Sequence, residues 1–413
     1  MSQVHVIGAG LAGLAAALSL SGAGRQVVVH EAGPAAGGRC RSYFDRELDL
    51  RIDNGNHLML SGNTAAVGYI VEIGAAAEVR MPERPAFPFM DLTTGQRWTV
   101  RPNMGRVPWW VFVPARRVPR TRMSDYLGMA AIARVTDDRV VADSMRRGRL
   151  FWRLVEPLAV AALNTPSHEG LARLLGAVMR ETLMCGGEAC LPMLPRQGLS
   201  EALIDPAVAT LRARGADIRF NSRIGGLTMD GGRITALRKA DAAVPLDADD
   251  AVVLAVPPWV ARGLVPGLVV PEAFQAILNI HFRVEAGGNE AGFIGLIGGA
   301  AEWLFLKPGH VSVTISAANA KVDEPAETIA ALVWPNVAAA LGLDGEMPPY
   351  RVVKERRATF AATAQQEVRR PSTRTRAAAN LVLAGDWTAT GLPATIEGAI
   401  RSGRAAGAAL LGA

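Results

Sequence analysis

Gly8, Gly10 and Gly13 stand in the spacing G-x-G-x-x-G, and an acidic side chain, Glu31, follows them. In that pattern the first glycine permits a tight turn, the second lets a pyrophosphate approach the backbone, and the third allows close helix-on-strand packing. A carboxylate at Glu31 accepts from both ribose hydroxyls and disfavours a 2′-phosphate, so FAD or NAD is expected rather than NADP. The glycines gain meaning from what surrounds them. Val4, Val6 and Ile7 form a β-branched run just before Gly8, and Leu11, Leu14, Ala15 and Leu18 then recur at helical spacing. The opening turn, with Leu11 and Ala12, offers free N–H groups and a positive dipole end to phosphates. Val27 to Val29 run into Glu31 and Ala32, completing a βαβ unit of about 30 residues and implying a parallel sheet.

Further along, Gly37-Gly38-Arg39 and the run Ile52-Asp53-Asn54-Gly55-Asn56-His57 resemble the second and third flavin motifs of the amine oxidase and carotenoid desaturase superfamily. Leu383-Ala384-Gly385-Asp386-Trp387, followed by Pro393-Ala394-Thr395-Ile396-Glu397-Gly398-Ala399, resembles its closing motif. The resemblance implies noncovalent FAD and a fold of α/β class: an FAD-binding Rossmann-like (two-dinucleotide-binding-domain) fold with an interleaved α+β substrate domain. It further implies that Arg39 neutralises phosphate, that Asn54 to His57 approach the isoalloxazine, and that Asp386 accepts from a ribityl or phosphate-adjacent hydroxyl. Ile224 is expected to offer backbone groups to adenine, and Ala255 and Pro257 to line the cleft. No cysteine stands near the closing motif, so a dissociable flavin is expected.

Several blocks are most similar to the hydroxysqualene dehydroxylases, desaturase-like flavoproteins of squalene and hopanoid biosynthesis. Gly37 to Asn63 is the closest block; Pro157 to Pro166, Asn279 to Arg283 and Trp303 to Lys307 resemble carotenoid and squalene desaturases generally. Where desaturases often place an acid in the last of these, Leu306 stands here. The resemblance implies hydride transfer from FADH2 to an allylic cation of an apolar isoprenoid. Loss of a hydroxyl needs a proton donor, which makes His57 and Asp53 the candidate catalytic residues. Asn164, Thr165, Trp303 and Phe305 are expected at the substrate pocket, although Asn164 and Thr165 also suit a helix cap. Two other readings stay open: a carotenoid desaturase or amine oxidase with the same flavin motifs, and a non-catalytic prenyl-binding module on the same fold.

The remaining features bound these expectations. At 413 residues the chain exceeds a single ordinary core. Flavin-domain pieces near both ends and in the middle place the division at 1–75, 190–264 and 371–413, with the substrate domain at 76–189 and 265–370. The three cysteines, Cys40, Cys185 and Cys190, lack disulfide or zinc spacing, and no metal site is expected. No apolar run reaches the roughly 18 to 20 residues of a membrane span, and no secretory signal is evident, so a cytoplasmic protein is expected. A net charge of +6 fits no nucleic-acid motif. Trp98, Trp109, Trp110 and Phe112 are interleaved with six arginines between Arg101 and Arg122, which suits peripheral contact with a membrane. The oligomeric state is left open.

Overall fold

A computed structural model describes residues 2–240, 242–287 and 289–412; the domain-boundary residues Met1 and Ala413 lie outside it. Gln3–Ile7 forms the centre of a five-stranded parallel sheet. Its neighbours are Gln26–His30 on one side, with Asp217–Arg219 beyond, and Ala251–Leu254 on the other, with Leu381–Leu383 beyond. Such continuous β-branched runs are buried on both faces, as parallel strands require; Val4, Val6, Val29, Val252 and Val253 are fully inaccessible. Each such side chain stabilises the fold by about 1.5–3 kcal/mol.

The helix Leu11–Gly22 is rich in Ala and Leu, good helix formers, and is buried on nearly every side. One side meets the sheet, and another meets the C-terminal helix Ile396–Leu411 at very short range. A Cβ on Gly403 would stand 2.2 Å from the Ala12 carbonyl oxygen, and one on Gly407 would stand 2.6 Å from Ser19 Oγ. Only glycine lets these two backbones come so close.

The second sheet has seven strands in the order Tyr350–Phe360, Phe274–Phe282, His310–Ile315, Trp303–Lys307, Phe293–Ile297, Phe87–Asp91 and Arg97–Val100. The strand-like stretch Trp303 to Ile315 is a hairpin. One face packs on the helix Ala326–Leu341 through Leu278, Ile280, Leu304, Val311 and Val313. The other face carries Phe293, Trp303 and Phe305 into a separate apolar cluster with the helices of residues 126–181. Period-two alternation sorts the residues between the two faces. Ser312 and Thr314 therefore share the face opposite Val311 and Val313.

Candidate active site

The glycine turn is built as the spacing requires. Gly8 has φ +104°, and a Cβ there would stand 2.5 Å from the Ala255 carbonyl oxygen; one on Gly13 would stand 1.9 Å from the oxygen of Gly8. At Gly10 a Cβ would meet nothing within 4 Å. Gly10 therefore faces open space, the side on which a pyrophosphate needs room. The Gly37 N–H donates to the Ala9 oxygen at 2.8 Å, laying the Gly37–Arg39 loop along this turn. Glu31 accepts the N–H of Ala9 and of Gly33, both at 2.8 Å, which fixes its carboxylate at the mouth of the first helix, beside Ala32. No side chain caps that helix, leaving its first-turn amides for an anion.

The closing motif is locked to the opening one. Both Asp386 oxygens accept from Arg39 Nη2 at 2.8 Å, and Arg39 also donates to the Ala358 carbonyl. A Cβ on Gly385 would lie 2.3 Å from Trp387 Nε1, which itself donates to the Val256 carbonyl at 3.0 Å. That bond ties the Ala255–Pro257 turn to the closing loop. Ile224 is buried beside Trp387, in one apolar cluster. Arg370, a residue the sequence motifs did not single out, is fully buried beneath this loop and donates to the carbonyls of Asp386, Thr388 and Leu392. Thr395 caps the last helix by accepting the Gly398 N–H at 3.0 Å, with Pro393 and Ala394 leading in and Ile396 at its first position.

Glu397, in the closing motif expected to hold the cofactor, bonds within the protein. Its two oxygens accept the Ala65 and Ala66 N–H groups at 3.0 and 2.8 Å, and Arg401 pairs with it. The carboxylate is thus the N-terminal cap of the helix Thr64–Glu72, whose own Asn63 supplies no side-chain cap. It is buried, and its oxygens are engaged within the protein.

Between the two sheets lies a polar seam. Asp53 accepts from Ser42 Oγ at 2.6 Å, from the Leu199 N–H at 2.8 Å and from Lys307 Nζ. Burial alone would raise its pKa, but the Lys307 ammonium and the two hydrogen bonds outweigh burial and bring it below the usual carboxylate value. The carboxylate expected as a proton donor is thus engaged in an ion pair and two hydrogen bonds. Beyond it, the loop 54–57 docks on the substrate sheet. Asn279 donates to the Asn54 carbonyl and accepts the Asn56 N–H, both at 3.3 Å. A Cβ on Gly55 would lie 3.3 Å from Asn279 Nδ2, so the loop sits tightly there. Asn56 Nδ2 reaches Ser312 Oγ at 2.7 Å and Thr314 Oγ1 at 3.0 Å, while its Oδ1 is buried with no partner among the described residues. Such an orphaned acceptor costs free energy unless a donor occupies the site, and a flavin edge or substrate hydroxyl would supply one.

His57 is half-buried beside this loop, and desolvation lowers its pKa to about 4 despite Asp53 nearby. Sequence reasoning missed the rest of the cluster: Lys307, Asn279, and the buried pair His281 and His310, with ring centroids 5.6 Å apart. Burial lowers their pKa values to about 3 and about 4, helped by the Lys307 charge.

The expected substrate-pocket residues divide. Asn164 adopts the left-handed conformation at the end of the helix Glu156–Leu163; it donates to Thr359 Oγ1 and accepts the Ala317 N–H at 2.7 Å. Thr165 is fully buried and accepts the Ala362 N–H at 2.9 Å. The polar atoms of both are used within the protein. Trp303 and Phe305 belong to the apolar cluster, against Phe89 and Phe293, and Leu58 packs on that cluster directly after the 54–57 loop.

The chain matches the model of the flavin containing amine oxidoreductases over residues 11–286 and 298–411. It is 49% identical over 410 residues to the hydroxysqualene dehydroxylase of Sinorhizobium fredii, covering 99% of this chain and 98% of that protein. The hydroxysqualene dehydroxylase of Zymomonas mobilis is 42% identical over 407 residues, with 98% of each chain covered. Among solved structures, an oxidoreductase from Methanosarcina mazei superposes with a TM-score of 0.73 at 16% identity, covering 98% of this chain and 99% of that one. Putrescine oxidase bound to putrescine gives a TM-score of 0.68 at 16% identity, over 100% and 99%; both likenesses bear on the fold. The chain belongs to the flavin containing amine oxidoreductase family and, within it, to the hydroxysqualene dehydroxylases.

Proposed function

We propose that this chain is an FAD-dependent oxidoreductase that converts hydroxysqualene to squalene by reductive loss of the hydroxyl. The observation that carries the reading is near-full-length identity of 49% with a protein of that name. An apolar cluster adjoining the 54–57 loop fits a hydrocarbon substrate. FAD bound without a covalent link is the cofactor that the residues suit, held by the divided domain 1–75, 190–264 and 371–413. Gly8, Gly10, Gly13, Gly37, Gly38 and Arg39 would surround its pyrophosphate, and Glu31 its ribose.

In the net reaction the C–O bond breaks, the hydroxyl takes a proton and leaves as water, and a C–H bond forms from hydride. Reduced FAD, when bound, supplies that hydride. The rest is the work of the chain. Aromatic and aliphatic side chains around Trp303 and Phe305 exclude water that would recapture a cation. Neutral His57 has one donor and one acceptor nitrogen, so it can orient the leaving hydroxyl and pass a proton on. Asp53 acts through Lys307, holding the ammonium and the loop in place. A cytoplasmic protein in peripheral contact with a membrane is part of this reading, because an oil-like substrate resides in the bilayer.

A single anaerobic turnover tests the reading. Pre-reduced enzyme mixed with hydroxysqualene is expected to regain the oxidised flavin spectrum as squalene forms in equal amount. Squalene formed without flavin reoxidation would sink the mechanism, and faster consumption of squalene by oxidised enzyme would reverse its direction in favour of a desaturase.

A further inference from the structure

Residues 101–127 form a compact segment with two unlike faces. Inward, Trp110 and Tyr126 meet edge to face at 5.2 Å, and with Val118 they join the apolar cluster that holds Trp303 and Phe305. Trp98, on the preceding strand, is likewise buried. Of the four aromatics expected at a membrane, two are therefore core residues. Outward, Val107, Trp109, Phe112, Met123 and Leu127 are exposed, Val107 by 73%, Phe112 by 63% and Leu127 by 71%. Large apolar side chains so exposed within one short stretch mark an interaction surface.

The segment is ordered by its own bonds. Asn103 accepts the Trp110 N–H at 3.2 Å and donates to the carbonyls of Gly105 and Val107; the Tyr126 hydroxyl accepts the Val118 N–H at 3.0 Å. Gly187 donates to the Asn103 carbonyl at 2.9 Å, which brings exposed Met184 alongside. The charge is one-sided: six arginines face one acid, Asp125. Arg106, Arg120 and Arg122 are exposed, with no ion-pair partner among the described residues, and Arg116 lies over the Trp109 ring at 4.6 Å. A groove of about 530 Å³ runs between the segment and the substrate sheet, lined by Phe89, Trp98, Pro114 and Pro119 together with Arg101 and Arg117.

We propose that residues 101–127 are an interfacial docking element for an anionic lipid bilayer, and that the substrate enters from the lipid past this segment into the cluster behind Trp110 and Tyr126. The entry step rests on the apolar-substrate reading above. The charge identifies the occupant. Exposed aromatics flanked by unpaired arginines match the acyl boundary and phosphate layer of an anionic leaflet, whereas a protein partner would need a compensating acidic face. No helix among the described residues is long and apolar enough to cross a membrane.

The test uses the flavin-loaded protein, vesicles of phosphatidylcholine with or without phosphatidylglycerol, and two variants confined to exposed side chains: Trp109→Ser/Phe112→Ser and Arg106→Gln/Arg120→Gln/Arg122→Gln. Wild-type protein is expected to co-sediment with the anionic vesicles at low salt and at least about tenfold less in high salt. Each variant is expected to bind about tenfold more weakly, to turn over detergent-dispersed hydroxysqualene like wild type, and to lose about tenfold on the same substrate embedded in anionic vesicles. Equal binding by wild type and variants, or wild-type binding indifferent to phosphatidylglycerol, overturns the proposal. So does a lipid-independent wild-type dimer that the Ser variant converts to monomer, which would give the surface to a second copy. Wild type that turns over dispersed substrate without binding vesicles refutes docking alone. Vesicle binding that the variants lose, in a protein inactive on hydroxysqualene, refutes the substrate reading and leaves docking standing.

Discussion

Lowering the pH from 7 to 5 should remove about 5 kcal/mol of folding stability, through histidines held neutral in the interior. Of the six histidines, five are buried or half-buried with pKa values pushed below the ordinary 6.5: His30 and His281 to about 3, His57 and His310 to about 4, and His5 in the same direction. His5 and His30 sit side by side in the parallel sheet, with ring nitrogens within hydrogen-bond distance at 3.1 Å, so protonating both would set two charges against each other. A group whose folded pKa is depressed favours the fold above its unfolded value and loses that contribution as pH falls below about 6.5. At pH 5 each of the four valued imidazoles costs roughly 2 kcal/mol, about 7 kcal/mol together relative to pH 7. Glu302 opposes this. Burial raises its pKa to about 7, so its protonation below pH 7 favours the folded state by roughly 2 kcal/mol at pH 5. The histidines win, and the remainder is comparable to the whole stability of many proteins. Chemical denaturation at pH 7, 6 and 5 measures it, alongside NMR titration of the imidazole signals. Stability constant to within about 1 kcal/mol over that range, or imidazoles titrating near 6.5, would refute the claim that burial outweighs the nearby carboxylates and holds these rings neutral.

Gly10→Val should abolish flavin content without unfolding the chain, because the added side chain enters the open space above the turn; yellow protein with a full complement of flavin would contradict that placement. Acid precipitation should release all flavin into the supernatant, and colour retained on the polypeptide would mean a covalent link. Lys307→Met should destabilise the fold by about 3–5 kcal/mol, because Asp53 is left as an unpaired buried charge. The double variant with Asp53→Asn should recover part of that loss, as measured by denaturant midpoint. Glu397→Ala should cost about 1–2 kcal/mol and loosen the helix Thr64–Glu72, which hydrogen exchange at Ala65 and Ala66 would detect.

What the sequence made legible follows from what constrains it. Gly8 and Gly13 are fixed by clashes with backbone, and Gly385 by a clash with the Trp387 ring, that any other residue would make, so a short pattern names them. The seam was harder because its partners are far apart in the chain: Asn56 meets Thr314, and Asp53 meets Lys307. A signal was nonetheless present. In the buried strand Phe274–Phe282, Asn279 and His281 are two apart and so share a face, and they pair across with Thr314 and Ser312. Polar residues at that period in two apolar strands announce a buried polar patch, though nothing local says what it meets. Glu397 was hard to read because a side chain that caps a helix is of the same chemical type as one that binds a ligand. Asn164 ends its own helix, whereas Glu397 caps one more than 300 positions earlier, a relation no local pattern encodes.

The central strand Gln3–Ile7 leaves the ribosome nearly 400 residues ahead of the strand two places along in its sheet, Leu381–Leu383. At roughly 5–20 residues per second, about 20 to 75 seconds separate their synthesis. Throughout that interval the first helix lacks the glycine face of Ile396–Leu411 against which it closes. The nascent unit around Gln3–Ile7 must therefore wait with apolar surface uncovered, and a ribosome stalled before the helix Ile396–Leu411 would leave an unfinished cofactor site.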